Sequence, residues 1–164
     1  MKRLASACVI LLAGCQHLSY QAPEGDNTAS VTFTGNNNAA QPVVCVPGKG
    51  FKPTEYALAQ NPLGGEALND LLESLKKSPE VTTTVAAEPA TRIGVSYDQR
   101  QTDKSRDRCR VALQFNPVAG QHYQASFHYE NDQCGLSLTE QDGKRVDAVL
   151  SLIHISEPTR RSTI

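Results

Sequence analysis

The chain has 164 residues, 39% of them hydrophobic, with four Phe, five Tyr and no Trp, enough for one modest core. Nine Pro, eleven Gly and 20% charged residues suit a turn-rich β domain better than a helix bundle. Sixteen basic and 17 acidic residues give a net charge of −1. A nucleic-acid binder carries a basic excess, so the balance argues against that class.

The N-terminus reads MKRLASACVILLAGCQ. Lys2 and Arg3 form a short positive region, and Leu4 to Gly14 an apolar run broken only by Ser6. A membrane-crossing helix needs ~20 apolar residues. The run is too short for that and has the proportions of a secretory signal over residues 1–14. It ends in Leu12-Ala13-Gly14-Cys15, which resembles the lipobox of bacterial lipoproteins. The resemblance implies cleavage between Gly14 and Cys15, a diacylglycerol on the Cys15 thiol, and a further acyl chain such as palmitate on its freed amine. Several acyl chains give stable anchoring where one does not. Gln16, in place of Asp, implies passage to the outer membrane if the source is a diderm bacterium. The expected address is therefore the periplasmic face of the outer membrane.

The other end, Leu150 to Ile164, reads LSLIHISEPTRRSTI. Its first eleven residues resemble the conceptual translation of a sequencing adapter, so 150–164 is expected to be a non-native tail. Neither His154 nor Arg160-Arg161 then carries functional weight. Taking Lys2, Arg3, Arg160 and Arg161 from 16 basic residues and Glu157 from 17 acidic ones leaves 12 and 16 for residues 15–149. That is a net charge of about −4. Such a body has little attraction for polyanions or anionic headgroups, and attachment is left to the lipid at Cys15.

Residues 15–29 are polar after the cysteine and predict a flexible lipidated tether. The domain proper is expected over 30–149. Ser30 to Thr34 alternates as a half-buried strand, and Pro42 to Val46 is a second short strand. A looser stretch containing Pro53, Pro62, Gly64 and Gly65 follows. Glu66 to Lys77 is the one helical pattern, with Leu68, Leu71, Leu72 and Leu75 on a single stripe expected to face the core. Glu66 and Asp70 near its start and Lys76 and Lys77 at its end suit the helix dipole, and Pro79 stops it.

Val81 to Val85 is β-branched, and Ile93, Val95 and Tyr97 alternate within another strand. Asp98 to Arg108 is a charged stretch of mixed sign, expected as a solvated loop. Beyond it three strands are predicted. Cys109, Val111, Leu113 and Phe115 share one face; Tyr123, Ala125, Phe127 and Tyr129 a second; Cys134, Leu136 and Leu138 a third. The string Phe115-x-Pro117-x-x-Gly120-x-x-Tyr123 resembles a pattern in small bacterial envelope lipoproteins of uncharacterised function. The expected fold is mainly β, a small antiparallel sandwich or barrel-like domain with one short amphipathic helix.

Cys45, Cys109 and Cys134 remain after Cys15 is acylated, and an oxidising compartment favours pairing. Cys109 and Cys134 sit on apolar faces at strand ends, and the resembling lipoproteins also carry a Cys on either side of this hairpin. In one continuous meander, however, two strand spacings of ~9.5 Å in all would separate them. A disulfide requires Cα atoms within ~7 Å. The bridge therefore needs the 116–122 loop to arch between sheets, or Cys109 to leave its strand. Otherwise Cys45 is the better partner for one of them. A three-thiol metal site lacks any Cys-x-x-Cys pair, and none is expected.

Catalytic signatures are absent. There is no Gly-x-Ser-x-Gly, phosphate loop or His-Glu-x-x-His. His17 lies in the tether and His122 in a turn. His128 lies on a polar strand face with Gln124 and Ser126, ~20 Å along the strand from His122. No catalytic, cofactor or metal residues are assigned. The leading expectation is a non-enzymatic structural or protein-interaction lipoprotein, with sheet edges or the 98–108 stretch as contact surfaces for an envelope partner. Gly94-Val95-Ser96-Tyr97 resembles a segment of envelope lysozyme inhibitors, which implies a protruding inhibitory loop there. An enzyme of another class would need a pocket with convergent titratable groups.

Overall fold

The structure, a computed structural model, describes residues 18–36, 39–59, 65–102 and 105–155, the last five by backbone course alone. Among the described residues, eleven strands and one helix follow in order. They are β1 (Thr28–Gly35), β2 (Ala40–Val46), β3 (Gly50–Pro53), β4 (Ala57–Leu58), α1 (Glu66–Ser74), β5 (Lys77–Ser78), β6 (Glu80–Ala86), β7 (Thr91–Arg100), β8 (Arg106–Phe115), β9 (His122–Glu130), β10 (Gln133–Glu140) and β11 (Val149–Ile155). They form a mainly β sandwich. One sheet has the order β10-β9-β1-β6; the other runs β11-β8-β7-β2-β4-β5, with β3 also paired to β2. Most pairs are antiparallel, but β1 runs parallel to β9 and β4 parallel to β5.

The alternating faces pack as their period requires. Val31 and Phe33 of β1, Val85 of β6, Ile93, Val95 and Tyr97 of β7, and Phe127 of β9 are all but inaccessible to solvent. Side chains from both inner faces meet in one continuous cluster with Val111, Leu113, Phe115, Tyr123, Leu136 and Leu138. Gly94 is forced by this packing. A Cβ there would lie 2.5 Å from the Val111 carbonyl oxygen on β8.

The turn between β8 and β9 explains the Phe115-x-Pro117-x-x-Gly120-x-x-Tyr123 string. The Phe115 and Tyr123 rings meet edge-on at 5.2 Å. The Tyr123 hydroxyl accepts the Val118 amide at 3.0 Å. Gly120 has φ +76°, the left-handed region, and donates its N–H to the Thr28 carbonyl at 2.7 Å. The turn carries the chain from the β8 sheet to the β9 sheet, so β8, β9 and β10 are not one meander.

Several expectations need correction. The helix ends at Ser74 rather than Lys77, because Lys76 takes φ +51° and β5 turns back to pair with β4. No residue of α1 is buried. Leu68 and Leu72 are half-buried, while Leu71 and Leu75 are 53% and 57% exposed. The strands of the two sheets fill the interior by themselves, and α1 is left at the edge. The 98–108 stretch is not a loop. β7 runs to Arg100 and β8 starts at Arg106, so most of the stretch is strand. The charges sit on paired strand ends, where Asp98 meets Arg106 and Arg108 at 3.3 Å. Such exposed pairs contribute at most about 1 kcal/mol each. β11 runs along β8, so the stretch expected to be non-native begins within an edge strand.

Candidate functional site

The disulfide joins Cys109 of β8 to Cys134 of β10, with Cα atoms 6.4 Å apart. The two strands belong to opposite sheets, which is the arching arrangement the bridge required. Cys45 is free and half-buried on β2. Cys15 and Gly14, with the rest of the signal-like run, lie outside the described residues, as do His17 and the 156–164 end of the tail.

Gly94 to Tyr97 lies in the middle of β7, between β2 and β8, with Gly94, Val95 and Tyr97 buried. The protruding inhibitory loop expected there is not present, because the segment's apolar residues are needed in the core. His122 and His128 are exposed on the outer face of β9. That face is a ladder of short polar side chains. Thr32 and Thr82 hydroxyls are 2.9 Å apart, Thr34 and Ser126 3.2 Å, and Ser30 hydrogen-bonds His122 Nδ1. Among the described residues, no three His, Cys, Asp or Glu side chains form a metal-holding group.

The most built-up surface is the lateral edge where β6 of one sheet faces β2, β3 and β4 of the other. The segment 18–23 is fastened there through Tyr20. The Tyr20 N–H donates to the Pro53 carbonyl at 2.7 Å, and its hydroxyl donates to the Thr84 carbonyl at 2.9 Å. Among the described residues β6 pairs only with β1, so Thr84 offers an acceptor at a sheet edge that Tyr20 covers. Burial pushes the Tyr20 phenol up to about 12. The expected tether of 15–29 is thus fastened at residue 20, and strand structure begins at Thr28 rather than Ser30.

Two clefts are lined by residues of β6. One, of about 250 Å³, is lined by Tyr20, Pro23, Cys45, Val85 and Arg92. The other, of about 360 Å³, lies under α1 between Leu72, Asn69, Tyr56 and Thr82. Thr54, which is buried, holds the turn leading to Tyr56. Its hydroxyl donates to the Tyr56 carbonyl at 2.7 Å, and Gln41 Nε2 donates to its carbonyl at 3.1 Å. Sequence reading missed Tyr20, Gln41 and Thr54. Only the lone aromatic within a polar stretch marked Tyr20 beforehand.

Comparison with protein-family models, with curated proteins and with solved structures finds no match to the chain.

Proposed function

We propose that the protein is a lipid-anchored lipoprotein of the bacterial envelope, facing the periplasm from the outer membrane, with a non-enzymatic structural or protein-interaction role. The observation that carries this is Lys2-Arg3, the apolar run, and Leu12-Ala13-Gly14-Cys15 in the order that lipidation chemistry needs. A disulfide-bridged sandwich suits an oxidising compartment. The fastening of Tyr20 five residues after Cys15 suits a domain carried by its N-terminal lipid.

Expression of the full chain in a diderm bacterium tests the reading. The mature protein should begin at an acylated Cys15 by mass spectrometry and sediment with membranes. Cys15→Ser should accumulate the unprocessed precursor. An unacylated mature start, or a Cys15→Ser protein that stays membrane-bound with no precursor, overturns it.

A further inference from the structure

We infer that the exposed leucine face of α1 is a second membrane contact, laying the β6 edge of the sandwich against the lipid surface. The inference rests on the anchor at Cys15 proposed above.

The first observation is the length of the leash. Tyr20 is fixed to both sheets, so only four residues, and five chain steps, separate it from the acylated cysteine. Fully extended they span about 17 Å. Whatever lies near Tyr20 is held within that distance of the bilayer.

The second is what lies near Tyr20. Its hydroxyl sits on Thr84, while Thr82 on the same strand lines one cleft with Asn69 and Leu72 of α1. Two residues along a strand separate these positions by about 7 Å. The helix and the leash therefore share one edge. Leu18, at 82% exposed, lies on the leash itself. Leu71 of α1 and Leu75, which caps its C-terminus, are both exposed.

The third is the charge arrangement. At 3.6 residues per turn, Glu66, Asp70 and Glu73 fall on the side of α1 opposite Leu71 and Leu75. The leucine face itself is uncharged, and the body carries a net negative charge. The occupant that matches is the acyl–headgroup boundary of a lipid bilayer, entered by apolar side chains rather than drawn by anionic headgroups.

The chain contains no tryptophan, so Leu71→Trp supplies a single reporter. Gln133→Trp, on β10 at the far edge of its sheet, is the control. The acylated full-length protein is reconstituted into phosphatidylcholine vesicles containing brominated phosphatidylcholine. Emission from Leu71→Trp should be quenched about twofold or more beyond that from Gln133→Trp, as interfacial insertion requires. Leu75→Trp provides the same reading at the second exposed leucine. Equal quenching in all three proteins overturns the inference while leaving the anchor intact. A blue shift without quenching also overturns it, and assigns the face to a protein partner or a second copy. A mass spectrum of the same sample showing no acyl chains overturns the anchor and this contact together.

Discussion

Tyr97 and Tyr129 meet across the sandwich with ring centroids 4.6 Å apart and planes tilted by 39°, and each is the cross-strand neighbour of one half of the disulfide. Tyr97 pairs in register with Cys109, and Tyr129 with Cys134. One covalent bond and one aromatic contact thus clamp the same end of the two sheets. The Tyr97 hydroxyl is held by Gln99, and that of Tyr129 by Asp132 at 3.0 Å.

The bridge spans 25 residues of sequence, so it removes a substantial loop entropy from the unfolded chain. Replacing both Cys109 and Cys134 by Ala is expected to cost about 3–4 kcal/mol. Urea midpoints of the oxidised parent and the double variant measure this. A loss below about 1 kcal/mol would show that the reduced unfolded chain retains structure that already limits its loop entropy.

Gly94 of β7 packs against β8, and a Cβ there would meet the Val111 carbonyl oxygen and Ala112. Backbone cannot yield as a flexible side chain does. Gly94→Ala is expected to destabilise by about 1–3 kcal/mol. Gly143→Ala, in the exposed turn after β10, has open space around its Cα and differs by carrying φ +86° instead. Thermal melts of the two variants separate steric clash in the core from turn strain at the surface.

Tyr20 makes stability depend on alkaline pH. Its phenol ionises near 10 in the unfolded chain and about 12 when docked. Below pH 10 both states are neutral and nothing changes. Between 10 and 12 the unfolded chain releases its proton first, so stability falls as pH rises. Tyr97 and Tyr129 are also raised, each chiefly by burial, and add to the same alkaline loss. Tyr20→Phe should cost about 0.5–1.5 kcal/mol at neutral pH through the bond lost to Thr84. The gap between parent and variant should then narrow from pH 10 to 12. A gap that stays constant in urea titrations contradicts the docked state of Tyr20.

Two kinds of apolar residue are distinguished by where they sit. Phe127 is fully enclosed, and Phe127→Ala is expected to cost about 3–5 kcal/mol. Leu71→Ala and Leu75→Ala, at the exposed face of α1, should each stay within about 0.5 kcal/mol of the parent in detergent-free, lipid-free solution. Chemical denaturation of the three variants measures the contrast. A large loss at Leu71 would mean that the helix contributes to the core after all.

The amino-acid order by itself determined the strands whose side chains alternate. Cys109 to Phe115, Tyr123 to Tyr129 and Cys134 to Leu138 turn the predicted faces inward, since period-two alternation is a local property that a pleated strand converts directly into sidedness. The Pro117 and Gly120 turn was legible because Pro fixes its own φ and Gly accepts a positive one, both local properties. The leucine stripe of α1 was legible as an apolar face and misread as core, because periodicity tells that a face is greasy and nothing about what covers it. The pairing of Cys109 with Cys134 could be stated only as a condition, since it depends on which sheet receives each strand. The parallel contact of β1 with β9 and the docking of Tyr20 on Thr84 bring together residues 92 and 64 positions apart. No local pattern encodes such contacts. They are chosen when two sheets close on one core and the polar atoms left along their edges find the nearest partner.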